Sequence, residues 1–291
     1  MTTPRNASLT TGPLLVTGAT GTTGSHLVPR LIRAGHPVRT AARRPVAVAG
    51  AEPVPFDWSD PTTHDAALDG ASAVYLVPPP GAAEPAAVML PFLDRARRAG
   101  VRRAVLLSSS LIPAGGPATG AVHRALPDVF PEWAVLRPSW FMQNLTGRHP
   151  HADGIRAEGL ITTATGRGRV AFIDAEDIAA VAAHALTAPT PPNTDWILTG
   201  PQALSYDAVA AVLTEVTGRP VRHRSVPVEE MRARHARVMP PEFATVLADL
   251  DRRIADGAED RTTDAVARLT GRPPRSFTTY AEDNSDALTT S

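Results

Sequence analysis

The chain has 291 residues, of which 43% are apolar and 20% charged, and its 29 basic side chains balance 29 acidic ones. This composition predicts a globular protein with one large α/β domain or two smaller ones, and it excludes the basic surface of a nucleic-acid-binding or membrane-surface protein. The absence of cysteine and lysine excludes a disulfide, a thiolate nucleophile, a Walker A lysine and a lysine Schiff base.

Neither an export signal nor a membrane span is predicted. Residues 1–11 are polar, and the chain nowhere has the run of about 18 apolar residues that spans a bilayer. We therefore expect a cytoplasmic monomer or homodimer whose partner is a small-molecule substrate.

In the first half, short apolar runs with β-forming residues alternate with helical patterns. The predicted strands are residues 14–17, 38–41, 73–77, 104–107 and 134–136. This alternation predicts a Rossmann-type α/β fold with a doubly wound parallel sheet. A helix is predicted over 23–34, and Pro29 inside it requires either a late helix start or a bend.

The second half predicts a smaller, mainly α region. Its predicted elements are a strand over 170–173, a helix over 174–186 capped by Asp174, a helix over 204–217 capped by Ser205, a strand over 221–226 and a helix over 243–254. We expect a Rossmann core over 1–145, completed by a strand and a helix from about 168–200. Residues 146–167 and 201–291 would form the substrate-binding or lid region.

A glycine-rich loop joins the first strand to the first helix. Gly18, Gly21 and Gly24 have Gly-x-x-Gly-x-x-Gly spacing, which suits a tight turn, a close approach to pyrophosphate and close helix packing. The loop residues predicted to bind a dinucleotide are Gly18, Thr20, Gly21, Thr22, Thr23 and Gly24. The alternative is a glycine-rich turn without a ligand.

The second predicted strand is followed by Arg43 and Arg44, and no acidic residue appears before Glu52. An acid at this point selects NAD by binding the ribose 2′-hydroxyl, whereas arginine accommodates the 2′-phosphate of NADP. The cofactor prediction is therefore NADP(H), with a solvated arginine pair as the alternative.

Two further segments are candidates for the cofactor cleft. Asp57 is placed to reach the adenine amino group, or else is a simple turn residue. Val77 and Pro78 would form a stiff wall beside the dinucleotide.

The chain resembles the NmrA-like, atypical branch of the short-chain dehydrogenase/reductase superfamily. The matching strings are Val16-Thr-Gly-Ala-Thr-Gly-Thr-Thr-Gly24, Ala73-Val-Tyr-Leu-Val-Pro-Pro79, Ala104-Val-Leu-Leu-Ser-Ser109, Leu136-Arg-Pro-Ser-Trp-Phe-Met-Gln-Asn144, Phe172-Ile-Asp-Ala-Glu-Asp-Ile178 and Leu198-Thr-Gly-Pro201. The resemblance implies a Rossmann core, an NADP(H) site and a substrate pocket under the C-terminal region. It does not fix the activity, because members include quinone reductases, imine reductases and dinucleotide-sensing regulators.

In typical members of that superfamily, a tyrosine made acidic by a lysine transfers the proton that accompanies hydride. That pair is impossible in this chain. The resemblance places Ser108, Ser109 and Ser110 at the nicotinamide end, so Ser109 or Ser110 could bind a substrate oxygen or nitrogen, with Ser108 nearer the cofactor. His123 is the other candidate proton donor because its pKa suits proton transfer, or else it is a surface histidine on a helix.

The stretch after the sixth strand is the predicted substrate pocket. Its candidate residues are Trp140, Phe141 and Gln143, although aromatic clusters of this kind also form ordinary core. His149 and His151 lack a third nearby ligand, so no metal site is predicted. Asp174 and Asp177 are interpreted as helix-start residues.

The sequence thus predicts an NADPH-dependent reductase of a small, apolar metabolite. Imines, iminium ions and quinones are favoured over simple ketones, because they need less acid assistance. The alternatives are a dinucleotide sensor without catalysis and a redox-neutral enzyme that keeps its cofactor as structure.

Overall fold

A computed structural model describes residues 12–289. The strands are β1 Leu14–Thr17, β2 Val38–Ala42, β3 Ala51–Pro55, β4 Ala73–Leu76, β5 Arg103–Leu107, β6 Glu132–Pro138, β7 Leu160–Thr163, β8 Arg169–Val170, β9 Thr194–Leu198, β10 Leu204–Ser205 and β11 Arg222–Ser225. The helices are α1 Gly24–Arg33, α2 His64–Leu68, α3 Ala86–Arg98, α4 Gly120–Val129, α5 Pro150–Glu158, α6 Ala175–Thr187, α7 Tyr206–Thr217, α8 Val228–His235, α9 Pro241–Ala255, α10 Ala265–Thr270, α11 Phe277–Asp283 and α12 Ser285–Thr289.

Seven parallel strands form the main sheet in the order β3-β2-β1-β4-β5-β6-β9. The order reverses direction between β1 and β4, which creates the crevice where doubly wound folds bind their ligands. This confirms the predicted Rossmann-type fold. Strand β9 and helix α6 complete the sheet layer from beyond residue 168.

Helices cover both faces of this sheet, so its strands are apolar on both sides. On one face Leu14 and Val16 pack with Leu27 of α1 and Ile178 of α6. Alternate residues such as Leu15 pack on the other face, where the core includes Phe92, Leu93, Val122 and Leu126 of α3 and α4. The two cores hold the sheet rigid beneath the loops that follow its strands.

The structure corrects several predicted bounds. The strand predicted over 170–173 ends at Val170, and beyond it Ile173 makes only an isolated bridge to Phe141. Strand β3 was not predicted, because two prolines interrupt its pattern; the sheet tolerates them since β3 is an edge strand. Helix α1 includes Pro29, whose side chain is exposed.

The C-terminal region is built on two small sheets, β7 with β11 and β8 with β10. It packs on a third core that includes Phe172, Tyr206 and Phe277. Helix α5 is capped by His149, whose Nδ1 accepts the backbone N–H of His151 at 3.2 Å. Among residues 12–289, no helix is both long and apolar enough to cross a membrane.

Asp174 and Asp177 fix the start of α6, as predicted. The Asp174 carboxylate accepts the Glu176 N–H at 2.9 Å and pairs with Arg275 at 2.9 Å. Asp177 pairs with Arg272 at 3.1 Å. These contacts tie the C-terminal segment to the Rossmann core.

Candidate active site

The residues predicted to form the site follow successive strands of the main sheet. Across the sheet they are Asp57 after β3, Arg43 and Arg44 after β2, residues 18–24 after β1, Val77 and Pro78 after β4, residues 108–110 after β5 and residues 140–143 after β6. Because the strands are parallel, all these segments meet at the carboxyl edge of the sheet. The exception is His123, which lies on helix α4.

The glycine turn has the geometry that a dinucleotide requires. Gly18 has a φ of +62°, and an added Cβ there would lie 3.1 Å from Val77 Cβ. At Gly24 an added Cβ would lie 2.3 Å from the Gly18 carbonyl oxygen. The first turn of α1 contains no acidic residue and no side-chain cap, so its N-terminal amides suit a pyrophosphate. These residues fit NAD(P)H.

Thr17, which the sequence reasoning missed, fixes the turn to the neighbouring strand. Its Oγ1 donates to the Tyr75 carbonyl at 2.9 Å and accepts the Val77 N–H at 2.8 Å. The buried Tyr75 hydroxyl donates to Thr23 Oγ1 at 3.1 Å, and burial raises the pKa of Tyr75. Tyr75 is therefore a structural residue, and Thr23 is already engaged within the protein.

Arg43 and Arg44 are exposed, and neither forms an ion pair with any residue between 12 and 289. Asp57 is half-buried in a turn, where its Oδ1 accepts the Ser59 N–H at 2.9 Å. The Nε1 of the next residue, Trp58, donates to the Val77 carbonyl at 3.1 Å. The two arginines are therefore available to a ligand, whereas one Asp57 oxygen is committed to its turn.

The three consecutive serines after β5 differ in their partners. Ser108 Oγ shares a 2.8 Å hydrogen bond with Thr119 Oγ1. Ser110 Oγ donates to the buried Glu259 carboxylate at 2.8 Å. The half-buried Ser109 hydroxyl has no hydrogen-bond partner in the described part of the chain. It is thus the one serine of the three with a hydroxyl free for a ligand.

Two residues absent from the sequence prediction hold these serines, Arg137 through their backbone and Glu259 through the Ser110 hydroxyl. Arg137 donates to the carbonyls of Ser109 at 3.4 Å and Ser110 at 2.9 Å, and pairs with Asp195 at 2.6 Å. Glu259 also pairs with Arg261 at 3.1 Å. No local pattern marks either residue, because their partners lie far away in sequence.

His123 is in the first turn of α4, and its side chain is buried against Trp133, with ring centroids 6.5 Å apart. Its Nδ1 has no hydrogen-bond partner among the described residues. Burial lowers the pKa of His123, while Asp195 opposes and Arg137 adds to this effect. His123 is therefore a core histidine on one face of the sheet, and its part in proton transfer stays a prediction.

The predicted pocket residues also make internal contacts. Gln143 holds the start of α6, because its Nε2 donates to Asp174 at 2.7 Å and its Oε1 accepts the Ala175 N–H at 3.0 Å. Phe141 packs on the sheet core and Trp140 on the C-terminal core. All three are only partly buried, so each retains some accessible surface.

Residues 18–189 match the model of a family described as NAD(P)H-binding. The chain belongs to this NAD(P)H-binding family. The match spans the glycine loop, the serines and helix α6, and the resemblance to the NmrA-like atypical short-chain dehydrogenases/reductases is consistent with it.

Relatives in the family have oxidoreductase names. The uncharacterized oxidoreductase YesF of Bacillus subtilis (strain 168) is 45% identical over 92% of this chain and 94% of its own length. Agroclavine dehydrogenase of Claviceps fusiformis is 38% identical over 93% of this chain and 96% of its own. The protein is an NAD(P)H-dependent oxidoreductase, a reductase of a small-molecule substrate.

The fold is shared with a solved enzyme structure. The NADPH-dependent quinone oxidoreductase QOR2 of Escherichia coli, crystallised with NADPH, superposes with a TM-score of 0.79 at 22% identity, covering 93% of this chain and 99% of that one. At this identity the likeness concerns the fold.

Proposed function

We propose that the protein is an NADPH-dependent reductase of small, apolar acceptors that carry a C=N bond or a quinone. The observation that carries the proposal is the row of candidate residues along the carboxyl edge of the sheet, which includes the free hydroxyl of Ser109. The oxidoreductase names of its relatives favour this enzyme over a non-catalytic sensor.

The residues along this edge have distinct roles in the proposal. The amides of residues 22–24 at the start of α1 bind the pyrophosphate, and Arg43 and Arg44 bind the ribose 2′-phosphate. Bound NADPH supplies a hydride. The hydroxyl of Ser109 orients the acceptor atom, while Arg137 holds the serine backbone and Glu259 holds the Ser110 side chain.

The absence of lysine favours one class of substrate. Without lysine the usual Tyr/Lys proton donor is absent, so acceptors that take hydride with little acid assistance are favoured. One relative is named agroclavine dehydrogenase and one structural neighbour is named a quinone oxidoreductase. The second name suits such acceptors.

The test begins with titration of NADPH and NADH, followed by absorbance screening with quinones, imines and iminium ions. We expect the wild type to bind NADPH more tightly than NADH. In an Arg43→Ala/Arg44→Ala variant, the affinity for NADPH should fall by about tenfold or more while the affinity for NADH is unchanged, since hydrogen bonds to charged groups contribute about 1.5–3 kcal/mol. Arg97→Ala, at an exposed position on α3, is the matched control. The proposal would be contradicted if the double arginine variant lost affinity for NADH as much as for NADPH. It would also be contradicted if the wild type oxidised NADPH with none of the acceptors.

A further inference from the structure

A cavity of about 460 Å³ lies in the C-terminal region, between helix α5, strand β7 and helix α8. This volume is within the range of pockets that bind small molecules. None of the residues that line the cavity belongs to the row of candidate residues along the carboxyl edge of the main sheet. The cavity therefore has a lining distinct from that of the proposed reductase site.

Two buried polar side chains at this cavity have no partner within the protein. His235 on α8 and Thr162 on β7 both line the cavity, and each is 9% exposed. Among residues 12–289, neither the His235 imidazole nor the Thr162 hydroxyl has a hydrogen-bond partner. Because a buried polar group without a partner costs free energy, both groups are suited to bind a ligand in the cavity.

His151 on α5 is a third polar side chain at the cavity. Its ring centroid lies 4.7 Å from that of His149 and 5.7 Å from that of Tyr206. In the described part of the chain, no group of three or more histidine or acidic side chains is arranged to hold a metal ion. The imidazoles at the cavity are thus better suited to an organic ligand than to a metal.

The cavity lining has a surplus of positive charge. Arg234 and Arg237 are exposed at the cavity, and within residues 12–289 neither guanidinium has an ion-pair or hydrogen-bond partner. Two carboxylates also line the cavity, but Asp153 is paired with Arg156 at 2.6 Å. Glu158 alone is then left to oppose the two arginines, and this balance favours a ligand with a single negative charge.

Apolar side chains form much of the remaining wall. Leu160 of β7 and Met231 of α8 line the cavity, together with Val238 just beyond α8. Val238 is 72% exposed, so its side chain is available for contact with a ligand. A wall of this kind suits a ligand whose body is apolar.

We propose that this cavity binds a small organic carboxylate with an apolar body, as a second ligand site beyond the proposed reductase function. Arg234 and Arg237 bind the carboxylate, because the planar guanidinium matches its two oxygens. His235 and Thr162 donate further hydrogen bonds from inside the cavity. The apolar wall contacts the body of the ligand.

Isothermal titration calorimetry of the full chain with 4-phenylbutyrate tests this site. We expect 1:1 binding, and at least about tenfold weaker binding of 4-phenylbutanamide, which has the same body without the charge. Inorganic phosphate should also bind more weakly, because it lacks an apolar body. Equal affinity for the acid and the amide, or no binding of the acid at about 10 mM, would overturn the inference.

Variants of the lining locate the bound probe. Arg234→Ala/Arg237→Ala should raise the Kd of 4-phenylbutyrate by about tenfold or more, and it should fold because both positions are exposed. Arg232→Ala, at an exposed position of α8 outside the cavity lining, is the matched control and should leave the Kd unchanged. If the double variant binds the probe as tightly as the wild type does, the inference is wrong.

The affinity should also depend on pH. Burial lowers the pKa of His235, with Arg234 adding to the effect, and burial together with neighbouring histidines lowers the pKa of His151. Those neighbours include His149 on α5 and His223 on β11, whose Nδ1 lies 3.2 Å from Asp207 of α7; the charged side chains of α9 do not line the cavity. A bound carboxylate favours the charged imidazole, so the Kd of 4-phenylbutyrate should fall between about pH 8 and about pH 6. A constant Kd would overturn the proposed contact with His235.

Saturation with NADPH separates this site from the proposed reductase site. We expect 4-phenylbutyrate to bind unchanged in the presence of NADPH, and Arg234→Ala/Arg237→Ala to bind NADPH as the wild type does. If NADPH displaces the probe, the probe occupies the cofactor cleft, and the inference is wrong while the proposed reductase function stands. If the probe binds as expected and NADPH does not bind, the reductase proposal is wrong and this inference stands.

Discussion

The hydroxyl of Ser110 lies 2.8 Å from a carboxylate oxygen of Glu259, although 149 positions separate the two residues in sequence. Glu259 is 2% exposed, so its loss leaves buried polar groups without partners. We expect Glu259→Ala to lower the free energy of unfolding by about 1–3 kcal/mol, measured by urea denaturation. Glu215→Ala, at an exposed position of α7, is the control.

A double-mutant cycle with Ser110→Ala isolates this contact. The losses in free energy of unfolding caused by the two single substitutions should add up to more than the loss in the double variant, because each single variant already removes the shared hydrogen bond. Strict additivity of the free energies of unfolding would show that the contact does not stabilise the fold.

Substitutions at two glycines should separate folding from cofactor binding. In Gly24→Ala, the new Cβ would lie 2.3 Å from the Gly18 oxygen, so the turn must open and the variant should be destabilised by about 1–3 kcal/mol or more. In Gly21→Ala, the corresponding contact is 3.1 Å, so the fold should be largely retained.

For Gly21→Ala we expect a Kd for NADPH that is higher by about tenfold or more, because the methyl group lies where the backbone approaches the pyrophosphate. Thermal melts and fluorescence titration measure the two quantities. A Gly21→Ala variant with wild-type affinity would place the pyrophosphate elsewhere.

Ser109 and Ser108 form a matched pair for catalysis. Ser109→Ala should reduce kcat/KM by up to about tenfold, the equivalent of one neutral hydrogen bond, without loss of stability. Ser108→Ala instead removes the internal bond to Thr119 and should change stability more than turnover. If Ser108→Ala instead lowered turnover and Ser109→Ala did not, the contact with the acceptor would belong to Ser108.

The cap of α5 predicts an acid-sensitive fold. Burial and nearby His235 lower the pKa of His149 from 6.5 to about 4, while Asp153 opposes the shift. Because the folded-state pKa is the lower one, this contribution to stability is present above pH 6.5 and is lost as the pH falls toward 4.

His149→Asn keeps a side-chain acceptor for the cap but cannot titrate. Thermal melts between pH 7 and pH 4 should therefore show a smaller loss of stability in this variant than in the wild type. His26→Asn, at an exposed position of α1, should follow the wild type. An unchanged slope for His149→Asn would assign the acid sensitivity to other groups.

Buried strands and strand ends could be predicted from the sequence because their signals are local. Strands β1 and β5 are covered on both faces and therefore read as continuous apolar runs. The glycine turn is recognisable because it directly follows such a run, and the arginine pair because it directly follows strand β2. Strand β3 was missed because an edge position lets it keep two prolines.

The supporting contacts could not be predicted in this way. Thr17, Arg137 and Glu259 each act on residues brought near by the fold, 58, 28 and 149 positions away respectively. His235 lies on helix α8, which was not predicted, so the structure was needed to show the cavity that it lines. The sequence therefore predicts which segments surround the site better than it predicts which side chains hold them.

The position of β9 has a consequence for how the protein is made. This strand pairs with β6 along its length, and the chain passes through α5, β7 and α6 before reaching it. A ribosome that has released only the first 145 residues has thus produced a sheet with an open flank. The seven-stranded sheet is complete only after residue 198 has emerged, so a segment that ends at residue 145 lacks its last strand.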